Sequence, residues 1–112
     1  MKEIAEKYFK LFSDKDLDAL EPLFDERATL RDWEIEAEGK SDVFAAMKNI
    51  FDSVESIQVD PLRTYVWENT VVAELDITVN NSEKLAVVDI IDFTDEGKIF
   101  GIRAYKHRIS EL

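Results

Sequence analysis

Cysteine is absent from this chain of 112 residues, histidine occurs once, and glycine and proline occur only three and two times. Without cysteine there is neither a disulfide nor thiol chemistry. A lone histidine, His107, makes a serine–histidine triad or a multi-histidine metal site very hard to build. With few breakers, no serine-rich or proline-rich tract and no internal repeat, nothing reads as a linker, so residues 1–112 are read as a single domain. Positive charge is also short: 14 Lys and Arg face 25 Asp and Glu, a net charge of −11. Such a surface repels a phosphate backbone, which argues against nucleic acid as a partner. The lack of a long apolar run argues against a membrane partner, and the lack of a signal-like segment leads us to expect a cytoplasmic protein. Carboxylates and phenols are what remain for chemistry, with no cofactor and no metal expected.

What is present begins with an amphipathic pattern over residues 2–13, where Ile4, Tyr8, Leu11 and Phe12 recur at helical spacing. Asp14 or Asp16 is placed to cap a second helix over Leu17 to Phe24, with Leu17, Leu20 and Phe24 inward and Pro22 bending or shortening it. The acids at 14, 16 and 18 lack the glycine and terminal glutamate of a calcium loop. Ala28 to Trp33 alternates, which puts Ala28, Leu30 and Asp32 on one face, and Glu34 to Glu38 is expected to continue extended with its glutamates exposed. Ser41 reads as the N-cap of a third helix over Asp42 to about Ser53, with Val43, Phe44, Met47, Ile50 and Phe51 inward.

From Ile57 the period changes to two. Leu62 to Trp67 and Val71 to Val79 read as strands, and Asn80-Asn81-Ser82 as a turn. Leu85 to Lys106 reads as a long hairpin closed at Thr94-Asp95-Glu96-Gly97-Lys98, with Gly97 supplying positive φ and the second arm running from Ile99 to about Arg108. Asp89 is the anomaly in this hairpin. It shares a strand face with Leu85, Val87, Ile91 and Phe93, where a carboxyl is out of place. Arg103 is expected to pair with an acid on a neighbouring strand, and His107 to lie at the surface. Helices first and strands afterwards make an α+β fold, with three N-terminal helices packed in the concave face of a curved antiparallel sheet, a cone-shaped, cystatin-like roll.

This order of elements, with the segments FSDKDLDALEPLF, DERATLRDW, EGKSDVFAAM and DFTDEGKIFGIRAYK, resembles the nuclear-transport-factor-2-like superfamily across almost the whole chain. That superfamily includes ketosteroid isomerase, scytalone dehydratase and the SnoaL-like polyketide cyclases. By resemblance to ketosteroid isomerase, Tyr8 falls on the helix-one tyrosine that donates to the substrate oxygen, Asp32 on the general base, and Asp89 on the protonated acid of the oxyanion hole. Ile102 and Ala104 fall on apolar positions of the pocket, to which Phe12, Leu30 and Val87 are added as substrate-contacting candidates. Two departures are visible: Asp32 is followed by Trp33 where the family commonly has proline, and no tyrosine lies between Gly39 and Ser56.

The resemblance implies an enzyme that moves a proton next to a carbonyl of a small apolar substrate, using an Asp base and a Tyr/Asp oxyanion hole. Asp89, among apolar neighbours, is expected to favour its neutral form, and Asp32, beside Arg31, to accept the proton. Two other readings stand beside it: a binding or dimerisation domain without turnover, and a polyketide-cyclase-like enzyme for aldol closure or epoxide opening. Residue by residue, a structural account also stands, with Tyr8 as a packed ring and Asp32 as a strand end bound to backbone or Arg31. Tyr65 and Trp67, on the strand face opposite Val66, together with a hairpin strand that is apolar on both sides, lead us to expect a homodimer through the outer sheet face.

Overall fold

The computed structural model describes residues 1–107. The amphipathic start forms α1 (Lys2–Ser13), which buries Ala5, Tyr8 and Phe9. Asp16 then caps α2 (Leu17–Leu20) through an Ala19 N–H bond of 3.0 Å to its Oδ1. That helix is shorter than the expected span to Phe24. Pro22, which has no N–H to give, sits in a 3-10 turn over Glu21–Leu23, and Phe24 already opens β1 (Phe24–Arg31).

The chain does not continue extended after β1. Asp32 N–H donates to the Ile35 carbonyl, and the backbone folds back so that β2 (Glu36–Glu38) pairs antiparallel with β1. The expected Ser41 cap is likewise absent: α3 (Lys40–Ser53) starts two residues earlier than expected, after Gly39 at φ 90°, and makes no side-chain cap bond. Gly39 is suited to that conformation, and its N–H is held by the Ala28 carbonyl at 2.8 Å.

Four strands complete the sheet: β3 (Ile57–Trp67), β4 (Thr70–Val79), β5 (Glu83–Phe93) and β6 (Ile99–Lys106). The Arg108 end of the expected last arm lies outside the described residues. The spatial order is β2-β1-β6-β5-β4-β3, an open sheet whose ends do not meet. From β3 to β6 consecutive strands pair antiparallel as expected, and β1 pairs antiparallel with β2 across the reversal, whereas β1 runs parallel to β6, which makes the sheet mixed. Local hairpin signals reveal sequential pairings, but β1 and β6 meet only once the whole chain has wound round. Both hairpin turns form where expected, with Asn80 and Asn81 at φ 54° and 59° and Gly97 at φ 82°.

Register shifts between Phe24 and Thr29, Pro61 and Arg63, and Asp92 and Phe93 bend the sheet. Pro61 is tolerated because β3 is an edge strand. On the concave side α1 packs on β3, and α3 packs on β1 and β2. At one end the inner face is sealed by Ala5, Leu20, Met47, Val71, Ile91 and Ile99, all 0% exposed. At the other end a cavity remains.

Candidate functional site

The cavity has a volume of 350 Å³ and opens between α1, the end of α3 and the inner face of β3–β6. Its walls are mostly apolar: Phe12 from α1, Leu30 from β1, Val87 from β5, and Ile102 and Ala104 from β6 all line it. Tyr8, Asp32 and Asp89 line it too, so all eight expected site residues share one space. Each arrives for a local reason. Tyr8 lies on the buried stripe of α1, Asp89 on the inner phase of β5 opposite Ala104, and Asp32 immediately after β1.

Tyr8 is clamped by aromatic neighbours. Its ring stands 5.5 Å from Phe9, 5.8 Å from Phe12 and 5.9 Å from Phe24, the last edge-on. Phe24 supplies packing here and no hydroxyl, so it does not replace the tyrosine that α3 lacks. Tyr8 is 5% exposed and Asp89 7%, yet neither its hydroxyl nor the Asp89 carboxyl has a hydrogen-bond partner among the described residues. No side-chain polar atom of the described residues is both sealed from the surface and unpartnered. The two groups therefore face the cavity itself.

The electrostatics follow from that placement. Burial, and secondly the negative charge of Asp32, push the Asp89 carboxyl up to about 7. Burial, then Asp89, then Asp32 hold the Tyr8 phenol well above its usual value. The Tyr8 phenol thus keeps its proton throughout the neutral range, and the Asp89 carboxyl keeps its own below about 7.

Asp32 is built differently. Its Oδ1 accepts the backbone N–H groups of Glu34 and Ile35, each at 2.7 Å, which fixes the side chain as a half-buried acceptor. Arg31, the expected companion of Asp32, instead pairs with Glu36 at 2.9 Å across the β1–β2 pair. With Oδ1 occupied by backbone, Oδ2 is the oxygen left for a ligand.

Several lining residues escape a sequence reading centred on the acids. Leu75 and Ile77 share the inner phase of β4, and Ile50 and Val54 come from the end of α3. Lys106 lies one alternation beyond Ala104, and Glu83 one before Leu85, so strand period alone would have found both. Strand alternation from Ala28 puts Trp33 on the opposite face from Asp32, but the reversal at Asp32–Ile35 brings it to the rim, 40% exposed, under the Lys106 ammonium. Among the described residues no group of three or more His, Cys, Asp and Glu side chains is placed to hold a metal ion.

The SnoaL-like domain family matches residues 5–102. The chain belongs to that family. No curated protein matches the sequence. Among solved structures, this SnoaL-like domain is similar to a candidate polyketide cyclase from Sinorhizobium meliloti, with TM-score 0.83, 17% identity, and 93% of this chain and 94% of that one covered. It is also similar to a candidate ketosteroid isomerase from Kribbella flavida, with TM-score 0.82, 16% identity and coverage of 98% and 79%. Nuclear transport factor 2 from Cryptosporidium parvum gives TM-score 0.81 and 15% identity, with coverage of 95% and 90%. At these identities the likeness is one of fold, the nuclear-transport-factor-2-like α+β cone. The same cone thus carries names as different as isomerase, cyclase and transport factor, so the activity has to be argued from the cavity.

Proposed function

We propose that this SnoaL-like domain binds a small apolar molecule bearing a carbonyl and moves a proton next to that carbonyl. The observation that carries the reading is the pair of unpartnered, cavity-facing donors, Tyr8 and Asp89, in the same apolar space as a backbone-anchored acceptor, Asp32. Asp32 Oδ2 takes the proton from the carbon adjacent to the carbonyl, and the released electron pair moves onto the carbonyl oxygen. The Tyr8 hydroxyl and the neutral Asp89 carboxyl donate to that oxygen as its charge develops. Asp32 then returns the proton to the far carbon of the conjugated system, the double bond shifts, and the base is regenerated. A cavity of 350 Å³ lies toward the small end of ligand pockets, so the substrate is compact.

The test is the appearance of conjugated-enone absorbance from a β,γ-unsaturated ketone. Asp32→Asn should lower kcat/KM by about 10²–10⁴, the usual contribution of a positioned base. An unchanged rate in that variant sinks Asp32 as the base. Tight ketone binding without turnover in the native protein would instead establish a binding domain. A ring-closed product from a linear polyketone would establish the cyclase use of the same three groups, the activity suggested by the name of the Sinorhizobium meliloti relative.

For assembly, we infer a homodimer through the outer sheet face. Tyr65, Trp67 and Tyr105 are 52%, 71% and 57% exposed there, beside half-buried Val72, Val88 and Ile90. The ion pairs Arg63 with Glu74 and Arg103 with Asp92 lie on the same face, so these charges are neutralised within the chain when a second copy approaches. A monomer in sedimentation at micromolar concentration would overturn this. The composition fits a cytoplasmic setting, and among the described residues no helix is long and apolar enough to cross a membrane.

A further inference from the structure

The charges around the cavity are one-sided. Asp32, Glu34, Glu83 and Asp89 line it, and Lys106 is the one basic side chain among the described lining residues. Lys106 does not serve the deep acids: its ammonium lies 5.3 Å from the centroid of the Trp33 ring at the rim. Around Asp89 itself, α1 contributes Tyr8, the β1–β2 loop contributes Asp32, and the neighbouring strands contribute Ala73 and Ala104. The lining residues from α3 and β3, Ile50, Ser53, Val54, Ile57 and Val59, carry no charge. No cation of the described residues reaches a carboxyl that is only 7% exposed. Buried carboxylates are ordinarily paired with a cation, and here the open side of the pair is the cavity.

We propose that the cavity also binds lipophilic ammonium ions, with the cationic head against the Asp89 and Asp32 carboxylates and the hydrocarbon body against Phe12, Leu30, Val87 and Ile102. The rings of Tyr8 and Phe12 add aromatic surface that attracts a cation while tolerating an apolar tail. This inference rests on the cavity being a ligand site, and it is independent of turnover. The two ligand classes require opposite states of one acid. A neutral carbonyl ligand uses the proton of Asp89, whereas an ammonium displaces it, so the first is favoured below about 7 and the second above it.

The probes are naphthylmethylammonium, its trimethylated analogue with a permanent charge, and neutral naphthylmethanol, titrated calorimetrically in high salt to screen the net charge. At about pH 8.5 both cations should bind at least about tenfold more tightly than the alcohol, and the preference should shrink at about pH 5.5 as Asp89 gains its proton. In Asp89→Asn the alcohol should still bind and the preference should fall, because only the Asp32 carboxylate then faces the head group. Equal affinity for cation and alcohol at the higher pH overturns the proposal and leaves the carbonyl reading untouched. A preference undiminished in Asp89→Asn also overturns it, because general attraction to an acidic surface would then suffice. Failure of all three probes to bind overturns the cavity as a ligand site and both readings with it.

Discussion

Asp89 and Asp92 lie three residues apart on β5, on opposite faces of the same strand, and they occupy opposite kinds of environment. On the outer face, Asp92 Oδ1 accepts the Thr70 hydroxyl at 2.8 Å, and Oδ2 accepts the Arg103 guanidinium at 2.5 Å. On the inner face, Asp89 has apolar neighbours, one negatively charged companion and no hydrogen-bond donor among the described residues. The outer acid is arranged as structure requires, with its acceptor oxygens filled. The inner acid is arranged as structure alone would avoid, because a buried carboxyl without a partner costs free energy. One strand therefore separates a stabilising carboxyl from a destabilising one, and the destabilising one faces the cavity.

The sharpest way to test that contrast is to remove the charge from each acid. An acid whose pKa is 3.8 unfolded and about 7 folded binds its proton more tightly in the native state. The contribution of Asp89 to stability is then greatest below about pH 4 and declines as pH rises toward 7, by a total on the order of 4 kcal/mol. Asp89→Asn removes that decline. The variant should be more stable than the native protein at pH 8 by up to this amount, and by little at pH 4, as thermal unfolding at the two pH values will show. The same variant should lose turnover by about 10–10³, since an amide donates less well to an enolate than a neutral acid does. Native activity should fall as pH rises through about 7, when the Asp89 proton is lost. A variant less stable at pH 8 than the native protein would mean that the carboxylate has a partner, contrary to the geometry.

Asp92→Asn should do the reverse on a smaller scale. The ion pair with Arg103 is 33% and 40% exposed at its two side chains, so solvent screens it, and the loss should be about 1 kcal/mol by chemical denaturation. Turnover should be unaffected. If Asp92→Asn impaired the reaction as strongly as Asp89→Asn, the two faces of β5 would not be functionally distinct.

How much of this was visible in the residues depends on the range of the interaction. The two hairpins, the stripe of α1 and the misplaced acid on β5 are local patterns of period or turn chemistry, and all are legible in the chain. The reversal at Asp32 was not, because Asp32, Trp33, Glu34 and Ile35 carry no glycine or proline signal. The turn is made by a side chain capturing two N–H groups, which alternation cannot show. That same capture turns Asp32 into an anchored acceptor and brings Trp33 to the rim. The parallel β1–β6 pairing was hidden for a different reason: it joins segments separated by most of the chain, so no local signal reports it. The positions of Tyr8 and Asp89 on their own elements were readable, whereas their meeting with Asp32 depended on that pairing.

The smallest expected effect on stability is also a discriminating one. Ser13 and Tyr8 are both hydroxyl-bearing residues of α1. The Ser13 hydroxyl donates to the Phe9 carbonyl at 3.0 Å and accepts the Val59 N–H at 2.9 Å, tying the helix end to β3. Its removal in Ser13→Ala should cost about 1 kcal/mol, as expected when a backbone N–H loses its acceptor. The Tyr8 hydroxyl bonds to nothing among the described residues, while its ring packs against Phe9, Phe12 and Phe24. Tyr8→Phe keeps the ring and should shift stability by less than about 0.5 kcal/mol, although it removes one of the two donors and should lower turnover by about 10–10³. A hydroxyl that matters to a ligand and not to the fold is what the open inner face predicts. A loss of stability as large as that of Ser13→Ala would show instead that Tyr8 belongs with Asp92, among the groups that hold the cone together.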